Sequence, residues 1–288
     1  MGYGQPQKYN DSMGYYRLGH AFLTPQSTTV VKLGCCGYID DSGYWCPMVD
    51  IVNKAATTAG GYDVMDKSTL LKLPPSPVTW GPKMTETVKE SRSSLTADAP
   101  VPGIPVEASL KLEFSLHADF GAVLLCKGEV TRRAYAHADP FRAWAQANAA
   151  RLLTKYPAIR QHGFYVVTNT HASKDVLVNS WENGSHMVTL GFGGGVDQSA
   201  NISSSTEIYG ATSAAGWVKP VCKANEEMVV FFGGLKFEYR KLTGWMRGDT
   251  TKFAEKPIYR GDNIIVRDPD DEEDGLEILD SEIGQDII

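Results

Sequence analysis

The clearest pattern in the chain is an unbroken alternation of apolar and polar residues over residues 106–120. A strand points successive side chains to opposite faces, so this period of two predicts one strand with an apolar and a polar face. Strands usually have about 5–6 residues, and this one is far longer. Its apolar face is predicted to carry Val106, Ala108, Leu110, Leu112, Phe114, Leu116, Ala118 and Phe120.

Helical spacing replaces this alternation later in the chain. Residues 140–156 are predicted to form a helix, with Asp139 as its N-cap, Pro140 as its first residue and Pro157 at its end. The buried stripe of this helix is predicted to contain Phe141, Trp144, Asn148 and Leu152.

The remaining pattern is mostly that of short strands. Residues 34–45 predict two strands around an Asp-Ser-Gly turn. The order of strands, helix and strands predicts an α+β fold: a twisted, mostly antiparallel sheet with long amphipathic strands and a few flanking helices. Residues 1–14 are predicted to be a flexible lead, and residues 73–77 and 96–105 proline-rich breaks. Further strands are predicted at residues 163–170, 176–181, 186–192 and 228–239.

Composition restricts the class of protein. Hydrophobic residues make up 42% of the 288 residues, so a sizeable core can form. No apolar run approaches the roughly 20 residues of a spanning helix, and the polar N-terminus does not resemble a signal peptide. The five cysteines have no regular spacing. These features predict a cytoplasmic protein.

Charge is distributed unevenly along the chain. Its net charge of −6 comes from 28 basic and 34 acidic residues, and residues 268–288 hold ten of the acidic residues and no Lys or Arg. Residues 1–267 therefore carry 28 basic against 24 acidic residues, or +4. We divide the chain into a body, residues 1–267, and an acidic tail, residues 268–288. Such a tail is either disordered and solvated, or docked on the body through its aliphatic residues.

Three patterns suggest chemistry, and each has a simpler explanation. The glycines of residues 191–195 are not followed by a helical stripe, which a phosphate-binding loop requires. The adjacent Cys35 and Cys36 do not have the spacing of zinc ligands. The six histidines lie in no local signature of a Cys–His nucleophile pair. We therefore expect a protein without enzymatic activity, cofactor or metal.

Basic and aromatic residues are interspersed near residue 240. This mixture suits anionic lipid or nucleic acid, and the small positive excess of the body makes nucleic acid the weaker choice. A solvated strand end is the simpler alternative. The predicted lipid-binding residues are Lys236, Arg240, Lys241, Trp245 and Arg247, together with Trp45.

In the order of these segments the chain resembles the gasdermin pore-forming domain, of the compact fungal kind that controls cell death. The resemblance covers roughly residues 15–245. It rests on the Cys- and aromatic-containing turn of residues 35–45, the proline-rich stretch of residues 63–78, the strand of residues 106–126, the helix of residues 140–156 with residues 164–168, the glycine-rich run, and residues 228–239.

The resemblance implies a physical mechanism. The protein would bind anionic membrane lipid, oligomerise with itself or with an allelic variant in allorecognition, and insert amphipathic hairpins as a closed β-barrel at the plasma membrane. Nucleic acid would not be a partner. A soluble non-catalytic binding module, lectin-like or scaffold, is the alternative. The residues expected to insert are Val106, Leu110, Leu112, Phe114, Leu116 and Phe120.

Overall fold

The computed structural model describes residues 4–94, 108–182, 187–193, 207–209, 216–220, 223, 226–242, 258–260, 263–268 and 271–284. Contacts divide the chain into two compact units. Unit 1 consists of Met1–Thr28, Pro75–Arg132 and His171–Phe231, and unit 2 of Thr29–Pro74, Arg133–Thr170 and Phe232–Ile288.

The helices of the described part are short except for one. The long helix buries the whole predicted stripe of Phe141, Trp144, Asn148 and Leu152, so this prediction is confirmed. The predicted cap is wrong by one residue: Ala138 is the N-cap, and the Asp139 carboxylate accepts a hydrogen bond from Arg142 Nη1. No helix of the described residues is both long and apolar enough to cross a bilayer. The helices are α1 (Gln5–Met13), α2 (Lys54–Ala59), α3 (Asp139–Lys155) and α4 (Ile159–His162), with 3-10 turns at Gly14–Tyr16 and Lys67–Thr69.

Strands dominate the rest, and the fold is α+β with mostly antiparallel sheets, as the sequence predicts. Strands β9, β10 and β14 contribute residues to both units. The strands are β1 (His20–Ser27), β2 (Cys35–Ile39), β3 (Trp45–Asp50), β4 (Ser76–Thr79), β5 (Lys83–Met84), β6 (Val88–Ser94), β7 (Ala108–Leu116), β8 (Phe120–Lys127), β9 (Glu129–Ala134), β10 (Phe164–Ser173), β11 (Asp175–Glu182), β12 (Met187–Gly193), β13 (Glu207–Tyr209), β14 (Met228–Leu242), β15 (Ile258–Arg260), β16 (Asn263–Asp268) and β17 (Asp271–Ile283).

Unit 2 is built around helix α3. Its strands follow the order β15-β16-β17-β14-β10-β2-β3. The apolar stripe of α3 is covered by strand residues, and we call this cluster the α3 core. It contains Trp144, Ala145, Leu152, Cys36, Val49, Phe164, Val166, Leu235, Phe237 and Ile278, among others.

Unit 1 contains two smaller sheets. One has the order β11-β8-β5, and the other, which we call the four-strand sheet, has the order β13-β12-β7-β6. The apolar face of the four-strand sheet packs with one face of β8 and β11 in a core that includes Leu112, Phe114, Leu116, Val123, Leu125, Leu177, Trp181, Val188 and Leu190.

The N-terminal lead that the sequence predicts to be flexible is instead helix α1. Tyr9 and Met13, one turn apart, are fully buried against β8, β11 and the first residues of β14. Lys8 Nζ lies 2.9 Å from Glu182 Oε1, and the Asn10 carboxamide accepts a hydrogen bond from the Ala21 amide. Two buried side chains therefore fix a segment whose overall composition is polar.

Replacing Tyr9 by phenylalanine is expected to raise the free energy of unfolding by about 1 kcal/mol. Burial raises the pKa of the Tyr9 phenol, whose oxygen has no hydrogen-bond partner among the described residues. Removing an unpaired buried hydroxyl removes a desolvation penalty and leaves the ring in place. Denaturant unfolding measures the change, and a less stable variant would show that the hydroxyl has a partner.

The single strand predicted for residues 106–120 is wrong at its C-terminal end. Strand β7 ends at Leu116, and Phe120 begins β8. The two strands do not form a hairpin with each other, since β7 pairs with β6 and β12, and β8 with β5 and β11. Val106 lies outside the described residues. Phe120 therefore does not belong to the strand that carries Leu112.

Candidate functional site

The four-strand sheet is formed by two pairs of strands, each pair consecutive in the chain. Strand β6 runs antiparallel to β7, from Val88 opposite Leu116 to Ser94 opposite Leu110. Strand β12 pairs with β13 in the same way. The two pairs meet along β7 and β12, where Leu190 lies opposite Leu112. The sheet thus places two antiparallel pairs side by side.

The two central strands have one apolar face. Residues directly opposite one another in neighbouring strands share a face, so Leu112 and Phe114 align with Leu190 and Val188. All four are buried, and the Phe114 ring meets Trp217 edge-on at 6.0 Å. Glu113 and Ser115, on the opposite face of β7, are half-buried. The apolar stripe is therefore two strands wide.

Strand β6 departs from this pattern. Glu90 and Arg92 occupy the register positions opposite Phe114 and Leu112, on the apolar side of the sheet, and form an ion pair. Lys89 and Ser91, on the other side, are exposed. Beyond Val88 the strand is polar on both faces, so among β6, β7 and β12 the apolar face belongs to β7 and β12.

Hydroxyl groups fix the residues just before β6 to the start of β8. The Ala122 amide donates to Thr85 Oγ1 at 3.3 Å, and Thr87 Oγ1 donates to the Phe120 carbonyl at 2.9 Å. The His117 amide donates to the Thr87 carbonyl. A Cβ at Gly121, the second residue of β8, would lie 2.8 Å from Leu116 Cδ1, so the two strands approach each other closely there. These contacts anchor one end of the β6–β7 pair.

The predicted aromatic anchor is not accessible in this conformation. Trp45, the first residue of β3, is 4% exposed and packs edge-on against Phe232 at 5.3 Å. Its neighbour Tyr44, the last residue of the β2–β3 turn, is 46% exposed. The sequence pattern around the turn does not show which of Tyr44 and Trp45 is exposed. In the structure the exposed aromatic residue is Tyr44.

Three of the predicted lipid-binding cations lie on β14. Lys236 is half-buried, forms an ion pair with Glu238 and lies 6.0 Å from the Tyr165 ring centroid. Arg240 and Lys241 hold strand positions opposite Glu277 and Leu276 of β17. Trp245 and Arg247 lie outside the described residues. The basic strand is thus covered on one edge by an acidic one.

Strand β17 lies in the segment that the sequence identifies as an acidic tail. Its thirteen residues include seven acidic residues and no Lys or Arg. Nine register pairs join it to β14, from Ile283 opposite Gly234 to Gly275 opposite Leu242. Of the two alternatives for residues 271–283, the structure has the docked one.

Side chains of α3 hold one face of β17. Arg142 donates to Asp280 Oδ2 at 2.6 Å and to Glu282 Oε1 at 2.8 Å, and the hydrogen bonds to these carboxylates raise the pKa of its guanidinium. Ile278, on the same face, is 3% exposed in the α3 core. Asn169 Nδ2 donates to the Gly284 carbonyl at 3.2 Å. An aliphatic residue and two carboxylates therefore dock on α3 at alternate positions.

The described cysteines do not have the environment of reactive thiols. Burial raises the pKa of Cys35 and of Cys126 to about 12, and raises that of Cys36 as well. Such thiols are protonated at neutral pH. No three His, Cys, Asp or Glu side chains of the described residues group together as a metal site. The glycines at 191 and 193 lie in strand β12.

No protein-family model matches the chain, and the searches of curated proteins and of solved structures found no match either.

Proposed function

We propose that the protein is a gasdermin-like pore-forming effector of cell death. In this proposal it moves from the cytoplasm to the plasma membrane, binds anionic lipid, oligomerises and inserts amphipathic strands. The observation that supports it is the apolar face that β7 and β12 share, formed by Leu112, Phe114, Leu190 and Val188. These strands belong to a sheet made of two antiparallel pairs, and the two strands of each pair are consecutive in the chain.

The backbone pairing and the two faces of β7 suit a membrane-spanning sheet. Lipid offers no hydrogen bonds, so a strand can cross only if its neighbours satisfy its backbone. Pairing with β6 on one side and β12 on the other already does this for β7. Lipid would contact Leu112 and Phe114, and the water-filled lumen would contact Glu113 and Ser115. Oligomerisation, with identical or allelic chains, would pair the outer strands.

The acidic strand β17 supports a restraint on this activity. The carboxylates of Asp280 and Glu282 bind Arg142, and the acidic strand pairs along the edge of the basic strand β14. Anionic lipid attracts each nearby Lys or Arg by about 1 kcal/mol, and a docked acidic strand opposes that attraction. Cleavage or displacement of residues 268–288 would then favour membrane binding.

A non-catalytic binding module is the second candidate. The complete burial of Leu112 and Phe114 favours it, since these side chains also suit a permanent core. Release of an encapsulated dye from anionic liposomes distinguishes the two, with neutral liposomes as control. The proposal expects leakage that requires anionic lipid. Liposome binding without leakage by the chain cut after Arg267 supports the binding module, and no binding by that shortened chain contradicts the pore-forming proposal.

Reversing Lys241 and Arg247 to glutamate is expected to weaken binding to anionic liposomes about tenfold or more at low salt. The reason is that two attractive charges become repulsive, and screening reduces the loss as salt rises. Flotation with liposomes measures it. Reversing the exposed Lys54 and Lys67 produces the same change in net charge elsewhere in unit 2. If both double variants bind equally, the effect is one of total charge and the predicted basic site is wrong.

A further inference from the structure

Strand β17 lies between β14 and β16. Its surroundings on the β14 side have three parts, which together we call the β14–α3 groove. The backbone of β14 offers hydrogen bonds along residues 234–242. The α3 core receives one aliphatic side chain, that of Ile278. The guanidinium of Arg142 receives two carboxylates, those of Asp280 and Glu282.

The groove recognises a pattern of alternate residues. Ile278, Asp280 and Glu282 are separated by two positions, so a strand turns them to one face, toward α3. The intervening Leu279 is half-buried, and Ser281 is exposed. Backbone pairing supplies affinity for any extended segment, and pockets for alternate side chains supply specificity. The groove therefore selects an aliphatic residue followed at the second and fourth positions by carboxylates.

The described side chains of the resident strand are mostly not buried. Among the β17 residues whose side chains are described, 278–283, Ile278 is the one that is buried. In β10 all ten residues are buried. Segments with little buried apolar surface open locally at a lower free energy than core strands. In its described part β17 is thus held by less buried side-chain surface than β10.

We propose that the β14–α3 groove binds, in trans, an extended acidic segment of a partner protein with an aliphatic residue followed at +2 and +4 by Asp or Glu. The segment takes the place of β17 between β14 and β16, and Arg142 recognises its two carboxylates. This recognition does not depend on membrane permeabilisation, so it stands or falls separately from the pore-forming proposal.

The test uses the full chain carrying Asp280→Asn and Glu282→Gln, which weakens the resident strand without removing it. A fluorescent peptide of residues 275–284 is the probe, and fluorescence anisotropy measures its affinity. A second peptide exchanges the residues at positions 281 and 282, which keeps its composition and moves one carboxylate to the other face. We expect the first peptide to bind about tenfold or more tightly than the second.

Adding Arg142→Gln to the protein is expected to reduce this preference to less than about twofold, because the guanidinium that distinguishes the two faces is gone. Equal affinity of the two peptides would overturn the proposal, since it would indicate attraction by charge alone. Absence of binding at millimolar peptide would also overturn it. If the double variant does not fold, Glu282→Gln alone takes its place, because Glu282 is the more exposed of the two carboxylates.

Discussion

Replacing Ile278 by alanine is expected to accelerate dye release from anionic liposomes, and deletion of residues 268–288 is expected to accelerate it further. Ile278 is the buried anchor of β17 in the α3 core. Truncating a buried isoleucine costs about 2–5 kcal/mol, and here most of that loss falls on the docking of one strand. The deletion removes in addition the nine register pairs with β14 and both carboxylates bound by Arg142.

A general loss of stability could produce the same leakage, and Leu152→Ala is the matched control. Leu152 is fully buried in the same α3 core but lies on helix α3. Its truncation loosens unit 2 by a similar amount and leaves β17 its own contacts. Thermal unfolding establishes that the two variants are comparably destabilised. Equal leakage from both would mean that β17 is no specific restraint, and leakage no faster than that of the unaltered chain would mean that it is no restraint at all.

Periodic segments of the sequence predict their structure well. Helix α3 occupies residues 139–155 against the predicted 140–156, because a stripe at every third or fourth residue fits one helix face only. Strands β10, β11, β12 and β14 occur where apolar runs predict them. Their burial depends mainly on their own apolar residues, so the local sequence pattern is sufficient to predict where these strands lie.

Alternation does not reveal where one strand gives way to the next. Apolar and polar residues continue to alternate through His117, Ala118 and Asp119, although β7 has ended at Leu116. The start of β8 is held by hydrogen bonds with the Thr85 and Thr87 hydroxyl groups, which come from elsewhere in the chain. Phe120 and Leu112 therefore fall on the same face of the alternating pattern, although they lie in different sheets.

The candidate site depends on contacts between distant parts of the sequence. Arg142 is separated from Asp280 by 138 positions, and nothing near Arg142 distinguishes it from other helix arginines. Helix α1 is not among the predicted elements, because its two buried residues, Tyr9 and Met13, lie in a polar segment and pack against residues that are distant in the sequence. Their spacing of four and the proline at the start of the helix are the signals that predict it.

Replacing Leu112 by aspartate is expected to abolish leakage, whereas Leu112→Ala is expected to preserve or accelerate it. Both substitutions loosen the buried core around β7, alanine by about 2–5 kcal/mol and aspartate by at least as much. A strand that must leave this core to insert is released by loosening, so loss of packing alone favours leakage. Aspartate would in addition place a charge against lipid, at a cost of up to about 2 kcal/mol that recurs in every subunit of the assembly.

Loss of packing is expected to increase leakage, and a charge against lipid is expected to decrease it. The two variants therefore distinguish these effects even when both are less stable than the parent chain. Ser115→Asp adds the same charge on the other face of β7, which would line the lumen, and is expected to leak at the rate of the parent. Flotation first establishes that each variant binds the liposomes. If bound Leu112→Asp releases dye as fast as Leu112→Ala, the apolar face of β7 does not meet lipid, and its alternation serves only the core in which Leu112 is buried.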